Sequence, residues 1–442
     1  MSTRRKFIQQ AAIGTAATLV PVPFFAKGSP AKKITVAVMG VRSRGYALAT
    51  NYAQMPDTEV AYICDVDKEY LEKGLDAVEK LQGKRPKGEK DIRKVLEDKS
   101  IDALVIAAPD HWHAPAALLG VQAGKHVYVE KPCAHNPNEG EMLVAAEKKY
   151  GRIIQMGNQR RSWSKVVEGI NELHAGIIGR VYFAKGWYTN NRASIGFGKE
   201  VPVPDKLDWD LWQGPAPRTA YHDNYHPYEW HWFRRWGTGE ALNNGTHEID
   251  VIRWGLDVDY PSKVVATGGR YHFRDDWQFP DTMVVNFEFD KGAAASWESR
   301  SCNTYPIEGD SRGNIFFGEK GSMVIIGNNY SVYDNSPKPN LIKSVKEERS
   351  NATAVSNNTM SPDANLDGVH IKNFLDGIRD GKPVSSPVHE GFKSVLMCQL
   401  GNISWMTGRQ LHIDPRNGHI MGDPEAMAHW SREYEPGWAP VV

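Results

Sequence analysis

Lys131 is the residue in this sequence best placed for proton chemistry. It follows Val127, Tyr128 and Val129 in the stretch VYVEKPCA, which runs from Val127 to Ala134. The three apolar residues read as a buried strand. Glu130-Lys131-Pro132 ends it, because proline has no backbone donor and fixes its own φ. An amine at the carboxyl end of such a strand points into the crevice where open α/β sheets bind ligands. Burial there makes a lysine shed its proton more readily, so it can accept one from a hydroxyl. The second candidate, His247, lies in GEALNNGTHEIDVIRWGL, Gly239 to Leu256. Asn243, His247 and Asp250 recur there at helical spacing, and Ile249, Ile252 and Leu256 form an apolar face. The spacing predicts one helix with Asn243 and His247 side by side. Histidine can act as acid or base near neutrality, whereas asparagine orients a hydroxyl but takes no proton. The residues leave open whether Lys131 or His247 is the base.

The elements around Lys131 read as strand, helix, strand in repeated order. Ile34 to Met39 is a buried-strand run, and Gly40-Val41-Arg42-Ser43-Arg44-Gly45 follows it directly. Gly40 and Gly45 match the outer glycines of a dinucleotide fingerprint, while Arg42 replaces the middle one. Glu59 to Cys64 is the next strand, and Asp65 follows it, 25 positions after Gly40, where a carboxylate can hold ribose hydroxyls. Ile101 to Ala108 is a further strand, leading into Pro109-Asp110-His111-Trp112-His113. After Pro132, Asn136 caps a helix with Pro137 at its first turn, and Ile153 to Met156 supplies one more strand. This order predicts a right-handed parallel sheet.

Beyond Gly157-Asn158-Gln159-Arg160-Arg161 the texture changes. Five of the fourteen tryptophans, Trp209, Trp212, Trp230, Trp232 and Trp236, fall within 28 residues. Aromatic faces suit the C–H face of a sugar; most of the five should pack in the core, with one or two at a substrate. Val264 to Tyr271, Thr282 to Phe289 and Ala293 to Ser299 read as strands of a mostly antiparallel sheet with one open face. Such a face commonly pairs subunits, so a homo-oligomer, dimer or tetramer, is expected. Asn335 to Asp367 reads as loop, and His370 to Arg379 and Gly391 to Met406 as helices. The expected organisation is a leader and linker over 1–31, a nucleotide domain over 32–157, a substrate domain over 158–373 and closing helices over 374–442.

At 442 residues the chain exceeds one ordinary core. Its 53 basic and 53 acidic residues cancel, which removes any global field that would draw nucleic acid. Cys64, Cys133, Cys302 and Cys398 are far apart and show no metal-type spacing. At the amino terminus, Arg4-Arg5-Lys6-Phe7-Ile8 precedes a weakly apolar run from Ala11 to Val20. Paired arginines before such a run resemble a twin-arginine export signal. The run is shorter than the ~20 residues of a bilayer span, so a periplasmic protein with no membrane span is expected.

Gly40-x-x-x-x-Gly45, Cys64-Asp65-Val66-Asp67, Ala108-Pro109-Asp110-x-x-His113 and Glu130-Lys131-Pro132 together resemble the Gfo/Idh/MocA oxidoreductase family, over roughly Ile34 to Ile413. The resemblance implies an α/β fold: an N-terminal Rossmann dinucleotide-binding domain and a C-terminal α+β domain with an open, mostly antiparallel sheet. It implies a tightly bound NAD, with NADP possible, and hydride transfer at a secondary hydroxyl of a sugar, glycoside or cyclitol. Some relatives instead cleave glycosides with catalytic NAD, and a sugar-binding protein with structural NAD is a third option. The stretch around His247 is similar to the family's D-x-x-x-H helix, with Asn243 in the aspartate's place. Carried over by motif, Lys131 and His247 are catalytic. Asn243, Arg160, Trp230, His231 and Asp250 contact substrate. Gly40, Arg42, Ser43, Arg44, Gly45, Asp65, Pro109, His113, Glu130, Lys131 and Gln159 hold the cofactor. Arg42 and Arg44 could grip an adenosine 2′-phosphate; Asp65 opposes one and favours NAD.

Overall fold

Five largely apolar runs and one short polar strand at the edge, Lys87–Glu89, pair side by side at the start of the chain, the apolar ones because they have little polar surface to give to water. In the computed structural model, which describes residues 33–347 and 364–442, they are β1 (Ile34–Met39), β2 (Thr58–Cys64), β3 (Lys87–Glu89), β4 (Ala103–Ile106), β5 (His126–Val129) and β6 (Ile154–Met156). They form a wholly parallel sheet in the order β3-β2-β1-β4-β5-β6. Parallel strands require crossovers, supplied by α1 (Arg44–Gln54), α2 (Lys68–Gln82), α3 (Ile92–Leu96), α4 (Asp110–Gln122) and α5 (Pro137–Tyr150). Their starts are written in the sequence: the side chains of Asp67, Asp91 and Asn136 each accept a backbone N–H of the first turn. Strand order reverses between β1 and β4, so the carboxyl ends of β1, β4 and β5 open onto a single crevice.

The second sheet follows α6 (Ser164–His174). It comprises β7 (Val181–Asn191), β8 (Lys263–Gly269), β9 (Thr282–Phe289), β10 (Ala293–Arg300), β11 (Cys302–Asn303), β12 (Arg312–Gly318), β13 (Gly321–Ile326), β14 (Asn329–Asp334), β15 (Leu341–Val345) and β16 (Leu411–His412). The order is β15-β14-β13-β12-β7-β10-β9-β8-β16, with β11 added at the end of β7. All pairs are antiparallel except β7 with β10. Burial alternates strictly along β9, so this stretch buries one face and opens the other. Between β7 and β8 lie α7 (Trp209–Gln213), α8 (Gly239–Asn243) and α9 (Gly245–Leu256); α10 (Ala364–Asp380) and α11 (Val388–Thr407) follow the sheet.

Three expectations need correction. Leu341–Val345 is an edge strand, not loop; its two leading apolar residues are exposed, which erases the alternation that marks a strand. Helix α10 begins at Ala364, and the expected boundary at 373/374 falls inside it. Its Ile371, Phe374 and Leu375 pack with Val36, Val38 and Tyr128, so this helix completes the core of the nucleotide sheet. The Gly239–Leu256 segment is two helices broken at Asn244 rather than one. Arg312 Nη2 takes the Asn244 carbonyl at 3.3 Å, and Gly245 packs where a Cβ would lie 2.8 Å from the Trp297 ring.

All four cysteines are free. Among the described residues no helix is long and apolar enough to cross a membrane. Arg4, Arg5 and the rest of the leader expected over 1–31 lie outside the described residues.

Candidate active site

The crevice is a cavity of about 990 Å³, lined both by strand ends of the nucleotide sheet and by residues of β7 and the segment that follows it. That volume lies at the upper end for small-molecule sites and can hold a dinucleotide and a second small molecule.

Lys131 enters from the end of β5, and its peptide bond to Pro132 is cis. Its Nζ donates to the backbone oxygen of Asn243 at 2.5 Å and to the Asn243 side-chain oxygen at 3.2 Å. The break after α8 makes this possible, since a helix end leaves carbonyls outside the helical ladder. Burial lowers the Lys131 pKa, against the opposing pull of Glu130 and Asp110. His247 sits in the first turn of α9 on the same cavity, 2% exposed, and neither ring nitrogen has a partner among the described residues. Burial, then the Lys131 ammonium, holds its pKa well below the usual histidine value, and the positive end of α9 acts in the same sense. The imidazole is therefore neutral, with one donor and one acceptor free for a hydroxyl.

On the nucleotide side, Gly40 has φ +80°, and a Cβ there would lie 2.7 Å from the Ala108 backbone. At Gly45 a Cβ would lie 1.6 Å from the Gly40 oxygen, so only glycine lets α1 start this close to β1. Ser43, at the cap of α1, is exposed and its hydroxyl makes no cap bond. Helix α1 has no acidic residue in its first turn, which leaves its N–H end suited to a pyrophosphate. Asp65 accepts from Val41 N at 2.7 Å and Asp67 N at 2.9 Å, and thus also clamps the glycine loop. Each oxygen keeps a lone pair for a ribose hydroxyl, and burial raises the carboxyl to about 6. These residues fit a nicotinamide dinucleotide without its 2′-phosphate.

The remaining expected cofactor residues divide. Arg42, Pro109, His113, Glu130 and Gln159 line the cavity. Arg42 is exposed, with its guanidinium 5.5 Å from the centre of the Tyr228 ring. His113 joins two carbonyls, Pro132 at 2.6 Å from Nδ1 and Ala108 at 2.7 Å from Nε2, and so ties the Lys131 loop to the end of β4. Gln159 donates to Glu130. Arg44 lines the cavity as well, and only its 2′-phosphate role needs correction. It is not free for a 2′-phosphate, because it is clamped between Glu130 (2.7 Å) and Asp367 of α10 (2.7 Å).

Among the expected substrate contacts, Asn243, Trp230 and His231 line the cavity, with Trp230 and His231 stacked at 3.6 Å between ring centres. Arg160 and Asp250 do not line it. Arg160 is buried against Glu248 and Asn314, and Asp250 is held by both ends of the Arg161 guanidinium and by Ser394. Both look outward to a ligand in a linear reading, yet each charge is spent on an internal partner. Trp212 also lines the cavity; Trp209, Trp232 and Trp236 pack elsewhere. Sequence reasoning missed Tyr188, Asn190, Arg192 and Tyr228 on the far wall. Arg192 bonds Glu240 at 2.7 Å and the Tyr228 hydroxyl at 3.1 Å. The end of β7 brings Tyr188, Asn190 and Arg192 there and the segment ahead of Trp230 brings Tyr228, and no local pattern signals it. Among the described residues no cluster of histidine, cysteine or carboxylate groups could hold a metal ion.

Comparison with known proteins gives the family. Residues 34–158 match the family model described as oxidoreductase family, NAD-binding Rossmann fold, and residues 206–413 match its C-terminal alpha/beta domain. A glycosyl hydrolase family 109 protein of Stenotrophomonas maltophilia is 34% identical over 206 residues, 45% of either chain. One from Saccharopolyspora erythraea is 28% identical over 204 residues, 43% of this chain and 44% of its own. The chain thus spans less than half the length of these curated relatives. The scyllo-inositol 2-dehydrogenase (NAD(+)) of Bacillus subtilis is 25% identical over 297 residues, 66% of this chain and 74% of that one. Among solved structures, levoglucosan dehydrogenase in complex with NADH shares the fold with TM-score 0.66 and 19% identity, covering 86% of this chain and 99% of its own. With both of its domains matched in order, the chain belongs to the Gfo/Idh/MocA oxidoreductase family.

Proposed function

We propose that the protein is an NAD-dependent oxidoreductase acting on a secondary hydroxyl of a sugar, glycoside or cyclitol. The observation that carries this is the convergence of Lys131, Asn243 and His247 on a cavity continuous with the Gly40–Gly45 loop. When bound, the nicotinamide supplies or accepts the hydride. Two of the three polar positions on Lys131 Nζ are spent on Asn243, and the third faces the remaining space as the proton's landing site. His247, neutral and unpartnered, bonds the same or a neighbouring hydroxyl and fixes which carbon presents its hydrogen. Trp230 and Trp212 exclude water from one wall and present flat apolar faces to a sugar ring. Asp65 and the pairing of Arg44 favour NAD over NADP.

Incubating the purified protein with a panel of sugars, cyclitols and glycosides, with and without added NAD, tests this by mass spectrometry of the products. A two-hydrogen loss from a secondary alcohol, with NADH formed, is the expected result; no oxidised product from any of them would reject the reading. The family 109 relatives favour a second reading, glycoside cleavage with cofactor recycled in place. Cleavage of a glycoside with no net change in NAD would select it. Export by the paired arginines is part of the same proposal: an exported enzyme must carry its cofactor out, so NAD should survive dialysis.

A further inference from the structure

The loop that carries Lys131 lines two cavities. Lys131 faces the first, and His135, four residues on, lines a second of about 430 Å³ together with Arg234, Arg235, Trp236 and Arg432. The proposed reaction uses none of these five. Arg234 and Arg235 are exposed and have no ion-pair partner among the described residues; Arg235 gives one bond to the Pro217 carbonyl at 3.0 Å. Arg432 spends Nε on Glu139 at 2.8 Å and Nη2 on the His111 carbonyl at 2.7 Å. Its Nη1 is buried with no partner among the described residues, as is Trp236 Nε1. Trp236 is 1% exposed. Glu433 is the one acidic side chain among the described lining residues.

A buried N–H without an acceptor is costly, and two residues sharing one cavity, Arg432 and Trp236, carry such groups. Water can satisfy an N–H and hydrates the exposed Arg234 and Arg235, but two guanidinium charges with no carboxylate partner at one cavity mouth favour an anion there over water. Arginine's planar fork matches the oxygens of a carboxylate or sulfate. The cavity is also larger than a bare oxyanion needs, and Tyr225, Phe233 and Trp236 give it aromatic walls. His135 on the cavity wall is kept neutral by burial and then by Arg432, so it adds no charge of its own beside the anion. We propose that this second cavity binds an oxyanion carried on a sugar-sized body, the carboxylate of a uronate or the sulfate ester of a monosaccharide.

Titration calorimetry on the purified full chain tests this with D-glucuronate, D-glucose 6-sulfate, inorganic sulfate and D-glucose. At least one acidic sugar should bind the wild type. Arg234→Ala/Arg235→Ala should weaken that binding at least about tenfold, the loss expected for charge-assisted bonds. Both arginines are exposed, so this variant should keep the wild-type melting temperature. Trp236→Phe keeps one aromatic ring, removes the N–H donor together with the second ring of the indole, and should weaken the same acid by a smaller factor. Acid affinity unchanged in both variants would place the acid elsewhere and overturn the proposal. Binding of neither acidic sugar, or of inorganic sulfate alone, would overturn it as well. The readout is binding and not turnover, so the proposal stands or falls independently of the reaction assigned to the first cavity.

Discussion

Lys131 Nζ lies 2.5 Å from the Asn243 carbonyl oxygen and 3.2 Å from the Asn243 side-chain oxygen, although the two residues are 112 positions apart. This bond joins the end of a nucleotide-domain strand to the break between two helices of the following segment. Lys131→Met keeps the stem and removes the amine. It should lower hydride transfer at least ~100-fold, the lower end for a positioned acid or base, while NAD binding and melting temperature stay near wild type. Single-turnover reduction of NAD at the wild-type rate would exclude Lys131 from the chemistry.

Asn243→Asp follows from the same contact. The new carboxylate would face the Lys131 ammonium, and an opposite charge at that range favours the protonated amine. The folded Lys131 pKa therefore rises, and the acidic limb of the kcat/KM profile should move to higher pH if Lys131 is the base. Equal profiles for variant and wild type would exclude Lys131 as the group that sets that limb.

His247→Ala should cost at least ~100-fold in kcat/KM, because both its ring nitrogens are buried on this cavity wall without a partner among the described residues. His247→Gln keeps a donor and an acceptor and should recover substrate binding more than turnover. A variant with unchanged kcat/KM would confine His247 to packing.

The nucleotide domain was legible because its signals are local: β1, Gly40, Gly45, Asp65 and the Asn136 cap each sit within a few residues of what they control. Lys131 was legible for the same reason, since the strand and the proline that place it are its neighbours. Arg44, Arg160 and Asp250 were misread because a charge near a motif gives no sign of its distant partner. Arg44 finds Asp367 across 323 positions, and Asp250 finds Ser394 across 144. The helix break at Asn244 was hidden likewise, since Arg312 and Trp297, which hold it, come from other strands.

Arg44 offers a stability test. Its side chain is 19% exposed, and its partners Glu130 and Asp367 are 4% and 6% exposed. Arg44→Met leaves two buried carboxylates without their cation and should lower unfolding free energy by about 3–5 kcal/mol. Arg44→Met combined with Asp367→Leu should lose less, because one orphaned charge is gone. Denaturant melts of the wild type, Arg44→Met, Asp367→Leu and the double variant measure this, and additive losses would show that the pair is not coupled.

Asp65 ties cofactor retention to pH. Burial raises its folded pKa to about 6, whereas an unfolded aspartate titrates near ~4. Between these values the folded chain binds a proton that the unfolded chain has released, so the contribution of Asp65 to apo stability falls as pH rises through that window. Cofactor retention runs the other way. Only the ionised carboxylate can hold Val41 N and Asp67 N and still accept from two ribose hydroxyls. NAD affinity should therefore drop as pH falls below about 6, and Asp65→Asn should bind NAD weakly with no such step. Equilibrium dialysis against labelled NAD at pH 5 and pH 7.5 separates the cases. A wild type whose affinity is flat across that range would remove Asp65 from the ribose contact and leave it only the clamp on the glycine loop.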